Sequence, residues 1–278
     1  MTGEATGIGI GLRWELADDL FRERPQAVRW LEIHPENYIG RAGFFEAHLE
    51  RARASYPIVT HGLTLCLGSP EPFERAYVAR LKSLLRSLDA RWHSEHLCWG
   101  GVDGAYLHDL LPLPQTTAAA KMAAARIHEL RDALEVDIAL ENVSTYGHPG
   151  ERQLNEIDFV LDVLDRSGAK MLLDVNNVWV NANNHGIDAH AYIDQIPKDR
   201  VVQIHIAGHF VRPDGLIIDT HAAPVAASVK ELLGYTLTRL GGVPVLLERD
   251  GNYPPFAELV LEVETLADIY DGATGGRR

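Results

Sequence analysis

Short apolar, β-prone runs alternate along the chain with longer segments in which apolar residues recur at helical spacing. Eight such pairs can be counted, and an alternation of this kind predicts a parallel sheet covered by helices. The predicted strands are Ile8–Gly11, Trp30–Ile33, Ile58–His61, Trp92–Leu97, Asp137–Leu140, Met171–Leu173, Val201–Ile206 and Val243–Leu247. The predicted helices lie near Glu15–Arg24, Phe44–Ala54, Pro72–Leu88, Thr117–Leu134, Asn155–Arg166, Asp188–Gln195, Val225–Leu240 and Pro255–Tyr270.

Eight strand–helix pairs in 278 residues favour an α/β fold of the (β/α)8 TIM barrel type. A doubly wound open sheet is the alternative. Because no linker rich in Pro, Gly or Ser divides the chain, residues 1–270 are predicted to form a single domain, followed by a disordered tail at 271–278. Two longer segments, Cys98–Gln115 and Val175–Gly186, are predicted to be loops that contact the substrate.

Composition and charge exclude several classes of protein. The chain has 26 Lys and Arg against 39 Asp and Glu, a net charge of −13 that disfavours binding to nucleic acid. Two cysteines are too few for a disulfide scaffold, and the N-terminus resembles no leader, so a cytoplasmic protein is expected. No apolar run reaches the roughly 18 residues of a membrane helix. The unusual feature is a total of 13 histidines.

Metal-binding side chains close strand after strand. Since the carboxyl ends of barrel strands meet at one mouth, these side chains are expected to converge there. Carboxylates brought together in this way need a cation to offset their repulsion. A single residue of this kind would instead be a helix cap or a satisfied polar group. The six strand-end residues are His61, His96, Glu141, Asp174, His205 and Glu248.

Further candidates lie beside these strand ends. Asp219 and His221 form a D-x-H pair whose side chains share one side of an extended segment. Asn177 is either a ligand or a turn residue, and His209 is either a ligand or a supporting group. Histidine and carboxylate donors suit iron, manganese or zinc. Because eight or nine candidates exceed the needs of one ion, two or three metals are predicted, with carboxylates such as Glu141 as bridges.

Several ordered motifs resemble the DUF692 family of multinuclear non-heme iron-dependent oxidative enzymes. That family includes methanobactin-type and thiaglutamate-type peptide-modifying proteins. The similarity extends from Gly7 to about Glu262. The motifs are HPENY (His34–Tyr38), HGLTLCLGSP (His61–Pro70), SEHLCW (Ser94–Trp99), LLPLP (Leu110–Pro114), LENVSTY (Leu140–Tyr146), LLDVNNVWVNANNHG (Leu172–Gly186), IHIAGH (Ile204–His209) and IDTH (Ile218–His221).

The resemblance implies a TIM barrel related to xylose isomerase and endonuclease IV, with two or three irons of mixed valence. It implies dioxygen as co-substrate and, as substrate, a residue of a ribosomally made precursor peptide: Cys first, with Asp or Asn as alternatives. A separate leader-recognition protein is the expected partner. The implied ligands are His61, His96, Glu141, Asp174, Asn177, His205, Asp219, His221 and Glu248.

Roles within the site follow from the same reading. Glu141, Asp174, His205 and Glu248 are predicted to be catalytic. Asn37, His185 and His209 are predicted to contact the substrate. Two other functions stay open: a zinc- or manganese-dependent hydrolase or isomerase on the same barrel, and a non-catalytic metal-binding subunit of a peptide-maturation complex.

Overall fold

Eight parallel strands close into a barrel, in the places where the apolar runs predict them. The structure is a computed structural model that describes residues 4–102, 105–147, 150 and 152–275. The strands of the described chain are β1 Ile8–Gly11, β2 Trp30–Ile33, β3 Ile58–Gly62, β4 Trp92–His96, β5 Cys98–Val102, β6 Ala105–Pro112, β7 Asp137–Glu141, β8 Lys170–Asp174, β9 Val201–Ile206, β10 His209–Val211, β11 Ile217–Asp219 and β12 Val245–Leu247. The barrel order is β1-β12-β9-β8-β7-β4-β3-β2, with β2 paired again to β1. The predicted (β/α)8 barrel is confirmed.

Helices connect these strands and cover the barrel. Where both ends carry capping residues, the helix boundaries follow from them: α5 begins after Asn155, whose side chain accepts from the Asp158 amide, and ends at Gly168 in the left-handed conformation. The helices within the described residues are α1 Trp14–Glu23, α2 Phe44–Arg53, α3 Arg75–Ser87, α4 Thr117–Leu134, α5 Glu156–Ser167, α6 Val175–His185, α7 Ala189–Gln195, α8 Ala227–Leu240 and α9 Phe256–Thr274. A short 3₁₀ helix spans Pro35–Asn37.

The residues of the fold group into two compact units. The first comprises the described parts of Met1–Ile33, Glu50–Val59 and Leu173–Arg278, and the second comprises those of His34–Leu49 and Thr60–Leu172. Strands such as β1 and β2 are buried along their whole length, as expected for parallel strands covered by helices. A charged residue within such a strand therefore needs a specific partner.

The segment Cys98–Gln115 is not a plain loop, which corrects the prediction. It contains the antiparallel pair β5 and β6, in which Cys98 lies opposite Pro112 and Trp99 opposite Leu111. Pro112 is the last residue of β6 and does not interrupt it, and residues 103–104 lie outside the described residues. A second small antiparallel pair, β10 with β11, was not predicted because its strands have only three residues each.

The segment Val175–Gly186 is also not a loop, because it folds as α6. Its density of asparagines suggested turns. Asp174 instead caps the helix, accepting from the Asn177 amide at 2.6 Å, and Gly186 ends it in the left-handed conformation. Val175, Val178 and Ala182 are buried with helical spacing. Capping and apolar periodicity therefore outweigh the local turn preference of asparagine.

The predicted boundary of the tail is wrong by four residues. Helix α9 runs through Thr274, so residues 271–274 are helical. The helix ends where Gly275 adopts the left-handed conformation, which glycine adopts without a steric penalty. Residues 276–278, the rest of the predicted tail, lie outside the described residues.

Asn155→Ala is expected to destabilise the fold by about 1 kcal/mol, because the substitution removes the cap of α5. The free energy of unfolding, measured with urea, checks this. Lys121→Ala is a matched control at an exposed position of α4, and there we expect a change within about 0.5 kcal/mol. Equal effects of the two substitutions would contradict the role of the cap.

Of the helices within the described residues, none is both long enough and apolar enough to cross a membrane.

Candidate metal centres

Three side chains at the carboxyl ends of β3, β4 and β7 converge within the unit that includes Thr60–Leu172. We call His61, His96 and Glu141 the His61 cluster. His96 and Glu141 lie directly opposite each other on paired strands. The Glu141 Oε2 atom lies 3.2 Å from the Nε2 atoms of both His61 and His96, and these two nitrogens are 3.3 Å apart. Three donor atoms thus face one another at the carboxyl ends of neighbouring strands.

The hydrogen bonds of His61 fix which ring nitrogen faces the cluster. Ser94 Oγ donates to the carbonyl of Thr60 at 3.2 Å, so its single proton is used there. At 3.0 Å from His61 Nδ1, the same oxygen therefore accepts the Nδ1 proton. In the neutral ring Nε2 then has the lone pair and faces Glu141, which is the arrangement of a metal-binding histidine held by a partner on its other nitrogen.

The His61 cluster fits a divalent cation. Donor atoms that each lie roughly 2.1 Å from a shared ion are separated by about 3.0–3.4 Å, as these three are. Without a cation, two imidazole nitrogens and a carboxylate can face one another in this buried place only if an imidazole carries an additional proton. One side is open, since the side chain of His96 is 12% exposed while those of His61 and Glu141 are nearly fully buried.

The other unit carries a larger set of donors, which we call the His221 cluster: Asp174, His205, Asp219, His221, Glu248 and Asp250. Glu248 Oε2 lies 2.9 Å from His205 Nδ1 and 3.1 Å from His221 Nδ1. On its other side, His221 Nε2 lies 2.8 Å from Asp219 Oδ1 and 3.9 Å from Asp174 Oδ2. One ligand atom from each of Asp174, His205 and Glu248 lies within 4.8 Å of the others.

The backbone of His221 is bent to bring it into this cluster. Its φ of 49° is left-handed, uncommon for a residue with a side chain. The predicted extended D-x-H segment is thus only partly extended, since β11 ends at Asp219. The two side chains nevertheless meet, and the His221 carbonyl accepts from the Asp250 amide at 2.8 Å.

Opposite charges shift the pKa values of this cluster. Burial disfavours a charged His221, but the carboxylates of Glu248 and Asp219 outweigh it and hold the pKa of His221 well above its ordinary value. Burial likewise disfavours a charged Glu248, but His205 and His221 hold the pKa of Glu248 well below its ordinary range. In the metal-free protein, protons on histidine therefore balance part of the negative charge.

The His221 cluster and its neighbours carry more negative charge than their one arginine balances. Five carboxylates belong to the linked set, because Glu32 contacts His205 and the four others are in the cluster itself. Among the described residues in ion pairs with this set, Arg13 carries the balancing positive charge. Its guanidinium lies 2.6 Å from Asp250 and 3.9 Å from Glu248. With neutral histidines, the set carries an excess of four negative charges. The donor chemistry and the charge both fit divalent cations.

Asparagine side chains link the cluster to His209. Asn176 donates to Asp219 Oδ1 at 2.8 Å, and its own Oδ1 lies 2.8 Å from His209 Nδ1. His209 is thus linked to Asp219 through Asn176. Burial lowers the pKa of His209. Asn177 is buried on the first turn of α6, beside Asp174. These positions favour His209 as a supporting group rather than a ligand.

The sequence profile of the RiPP precursor modification enzymes MbnB/TglH/ChrH matches residues 7–271. The chain belongs to this family. Its members act on RiPP precursors, that is, on ribosomally synthesised and post-translationally modified peptides. The predicted resemblance is thereby confirmed. The chain is a member of a family of precursor-modifying enzymes and has candidate metal-binding residues.

Individual relatives agree with this assignment. The UPF0276 protein of Acinetobacter baylyi is 40% identical over 95% of this chain and 91% of its own length. The UPF0276 protein of Pseudomonas aeruginosa strain PAO1 is 41% identical over 95% of this chain and 92% of its own.

Solved structures of low sequence identity share the fold. D-psicose 3-epimerase from Clostridium cellulolyticum H10, crystallised with D-tagatose, superposes with a TM-score of 0.62 at 16% identity, over 96% of this chain and 99% of that one. L-ribulose 3-epimerase superposes with a TM-score of 0.60 at 15% identity, over 97% and 96%. At such identities the likeness concerns the xylose isomerase-like barrel alone.

Two of the predicted substrate contacts of this MbnB/TglH/ChrH family member lie at the ends of short helical elements. Asn37 is half-buried at the end of the 3₁₀ helix, and His185 is half-buried at the end of α6. Their role stays a prediction. Beside Asn37, Glu36 accepts from the Leu63 amide at 2.9 Å and the Thr64 hydroxyl at 3.0 Å, so this 3₁₀ segment is tied to the residues after β3.

Sequence reasoning missed several polar residues that support the clusters. Glu32 had a signal, because a carboxylate within the apolar strand Trp30–Ile33 requires a buried partner. Asp250 had one too, since it lies two residues after Glu248 and shares its side of an extended chain. Ser94 and Gln203 had none, because their roles depend on which residue the neighbouring strand places beside them.

Proposed function

We propose that the protein is a multinuclear non-heme iron enzyme that uses dioxygen to oxidise one residue of a ribosomally made precursor peptide. Cys is the first candidate for that residue, with Asp and Asn as alternatives. The observation that carries the proposal is the presence of two convergent sets of nitrogen and oxygen donors in a chain of the RiPP precursor modification family.

Each cluster would hold metal through residues of graded exposure. In the His61 cluster, Glu141 and His61 are buried and would anchor an ion, while His96 lies on the more open side. In the His221 cluster, His205 and Glu248 are the buried anchors, and Asp219 and His221 are 14% and 13% exposed. A peptide residue is therefore expected to approach each cluster from its more exposed members.

Bound iron would supply a Lewis acid for the substrate and a redox centre for dioxygen. The chain's own residues would orient and charge the site. Ser94 holds the Nδ1 proton of His61, and Arg13 holds the Asp250 carboxylate, which lies 3.4 Å from His221 Nδ1. Asp174 would contribute Oδ2, because its Oδ1 atom already caps α6. The catalytic roles of Glu141, Asp174, His205 and Glu248 would thus be to hold the metals.

A precursor peptide is longer than the residue that is modified. We propose that a separate protein captures its leader segment and delivers the core segment to the barrel. Because ribosomal precursors are made in the cytoplasm, this proposal places the enzyme there. Asn37, His185 and His209 remain proposed contacts of the peptide.

The first test is elemental analysis of protein purified without oxygen after iron-supplemented expression. We expect two to three irons per chain, and little zinc or manganese. Stoichiometric zinc with little iron would overturn the proposal in favour of a hydrolase or isomerase. Counting all three metals in one sample makes these outcomes distinguishable.

The second part of the test uses co-expressed peptides. Short Cys-, Asp- or Asn-containing peptides encoded beside the gene are the probes, and mass spectrometry is the readout. We expect a mass change that depends on dioxygen. Modification that proceeds equally under strict anaerobiosis would overturn the oxidative proposal, and bound metal with no mass change in any such peptide would favour a metal-binding subunit.

A further inference from the structure

A buried glutamate and glutamine meet His205 on the side away from Glu248. Glu32 on β2, and Gln203 and His205 on β9, are each fully buried. Glu32 Oε2 lies 3.0 Å from His205 Nε2 and also accepts from the amide of Gln203. The opposite ring nitrogen, Nδ1, lies 2.9 Å from Glu248 Oε2. The imidazole is therefore held between two carboxylates, one of which belongs to the His221 cluster.

We propose that Glu32 is a positioning residue, which holds the proton of His205 on Nε2 and so presents Nδ1 to the metal. The inference rests on the proposed metal-binding function. A carboxylate can only accept hydrogen bonds, so a neighbouring ring nitrogen must donate. A neutral imidazole that donates from Nε2 has its lone pair on Nδ1, the atom that lies 2.9 Å from Glu248 Oε2. Carboxylate–histidine–metal arrangements of this kind set ring orientation and ligand strength.

The burial of Glu32 supports a specific role. A carboxylate in the middle of a strand that is buried on both faces is costly unless it has partners. The remaining oxygen, Oε1, is buried and has no hydrogen-bond partner within the described residues, so stability alone gives a poor reason for this carboxylate. Its directed contact with a candidate ligand supplies a better one.

Gln203 makes an alternative arrangement possible, in which His205 carries its proton on Nδ1 instead of Nε2. Its amide nitrogen lies 2.9 Å from His205 Nε2 and would donate there if that nitrogen were unprotonated. His205 would then carry its proton on Nδ1 and donate to Glu248. Glu248 can accept the Nδ1 proton just as Glu32 accepts the Nε2 proton, so the two carboxylates alone do not select a tautomer. A cation held by Glu248 does, because only an unprotonated Nδ1 can bind it, and Glu32 then keeps the remaining proton on Nε2.

Glu32→Gln tests the proposal, because it keeps the shape of the side chain and removes the negative charge. We expect equilibrium affinity for Fe²⁺, measured anaerobically against a competing chelator, to fall 10- to 100-fold for the ion held by His205. The same titration with Zn²⁺ gives the ratio between variant and wild type for a second ion. The proposal is therefore tested even if the wild-type protein prefers zinc, an outcome that would remove the iron function alone.

Glu95→Gln is the matched control. Glu95 is also fully buried and also contacts a histidine, His93, at 3.3 Å, yet neither residue belongs to a cluster. Both substitutions are expected to lower stability, but only Glu32→Gln is expected to weaken metal binding. Affinities within twofold of wild type for Glu32→Gln, equal losses in both variants, or a wild-type chain that binds neither ion would overturn the positioning role.

Nitrogen NMR of the metal-free protein gives a readout that needs no metal. With ¹⁵N-labelled histidine and His205→Gln to assign the signals, we expect the Nε2 atom of His205 to carry a proton in the wild-type protein, alone or together with a proton on Nδ1. In Glu32→Gln we expect a shift of that signal towards the Nδ1-protonated form. A wild-type His205 protonated on Nδ1 alone would overturn the proposal.

Discussion

Glu141→Gln and His205→Ala are each expected to abolish iron loading at their own cluster and to reduce peptide turnover by at least about 100-fold, while the barrel persists. Glu141 Oε2 faces two imidazole nitrogens at 3.2 Å, and an amide in its place has no charge with which to hold a cation there. His205→Ala removes the donor that faces Glu248 at 2.9 Å. Elemental analysis and mass spectrometry of the co-expressed peptide provide the two readouts.

Two clusters rather than one make this prediction quantitative. Loss of either donor is expected to lower the iron count by at least one. Glu95→Gln and His93→Ala are matched controls, because both residues are buried and neither belongs to a cluster. We expect both controls to retain their iron. Full activity of either ligand variant would contradict the site assignment.

The candidate ligands at strand ends were predictable, because a residue directly after an apolar run lies at the mouth of the barrel once the run is a barrel strand. His61, His96 and Glu141 were named from such runs, and the structure brings their donor atoms within 3.3 Å. The partners that orient the ligands were not predictable in the same way. Ser94 reaches His61 only because β3 and β4 pair with His61 opposite Ser94, and register is a property of the folded sheet.

Local propensity failed where a cap or a partner strand overrides it. Val175–His185 reads as a loop because of its asparagines, yet Asp174 starts a helix there with one carboxylate oxygen and directs the other towards His221. One residue thus ends a strand, caps a helix and serves the candidate site. Such a double role is visible only when the three-dimensional neighbours of Asp174 are known, although the helical spacing of Val175, Val178 and Ala182 was present in the sequence.

Removal of metal is expected to reverse the dependence of stability on pH. In the metal-free fold the pKa of His221 is raised above its ordinary value of 6.5, so its contribution is complete below that pH and is lost as pH rises through the folded-state pKa. The pKa of Glu248 is lowered from its ordinary 4.5, so its contribution is present above that pH and is lost as pH falls through the folded-state pKa. The metal-free protein should therefore be most stable between about pH 4.5 and 6.5.

Bound metal is expected to move that optimum to higher pH. Metal competes with protons for His205 and His221, so its affinity rises as these histidines deprotonate. A free ion at about 1,000 times its Kd stabilises the fold by about 4 kcal/mol. Thermal unfolding temperatures measured from pH 4.5 to 8.5, once with chelator and once with anaerobic iron, check this. In the presence of chelator, we expect Glu248→Gln to make the unfolding temperature depend less on pH. Parallel profiles with and without metal would mean that the protons and the ion do not share the His221 cluster, because only a shared site lets one replace the other.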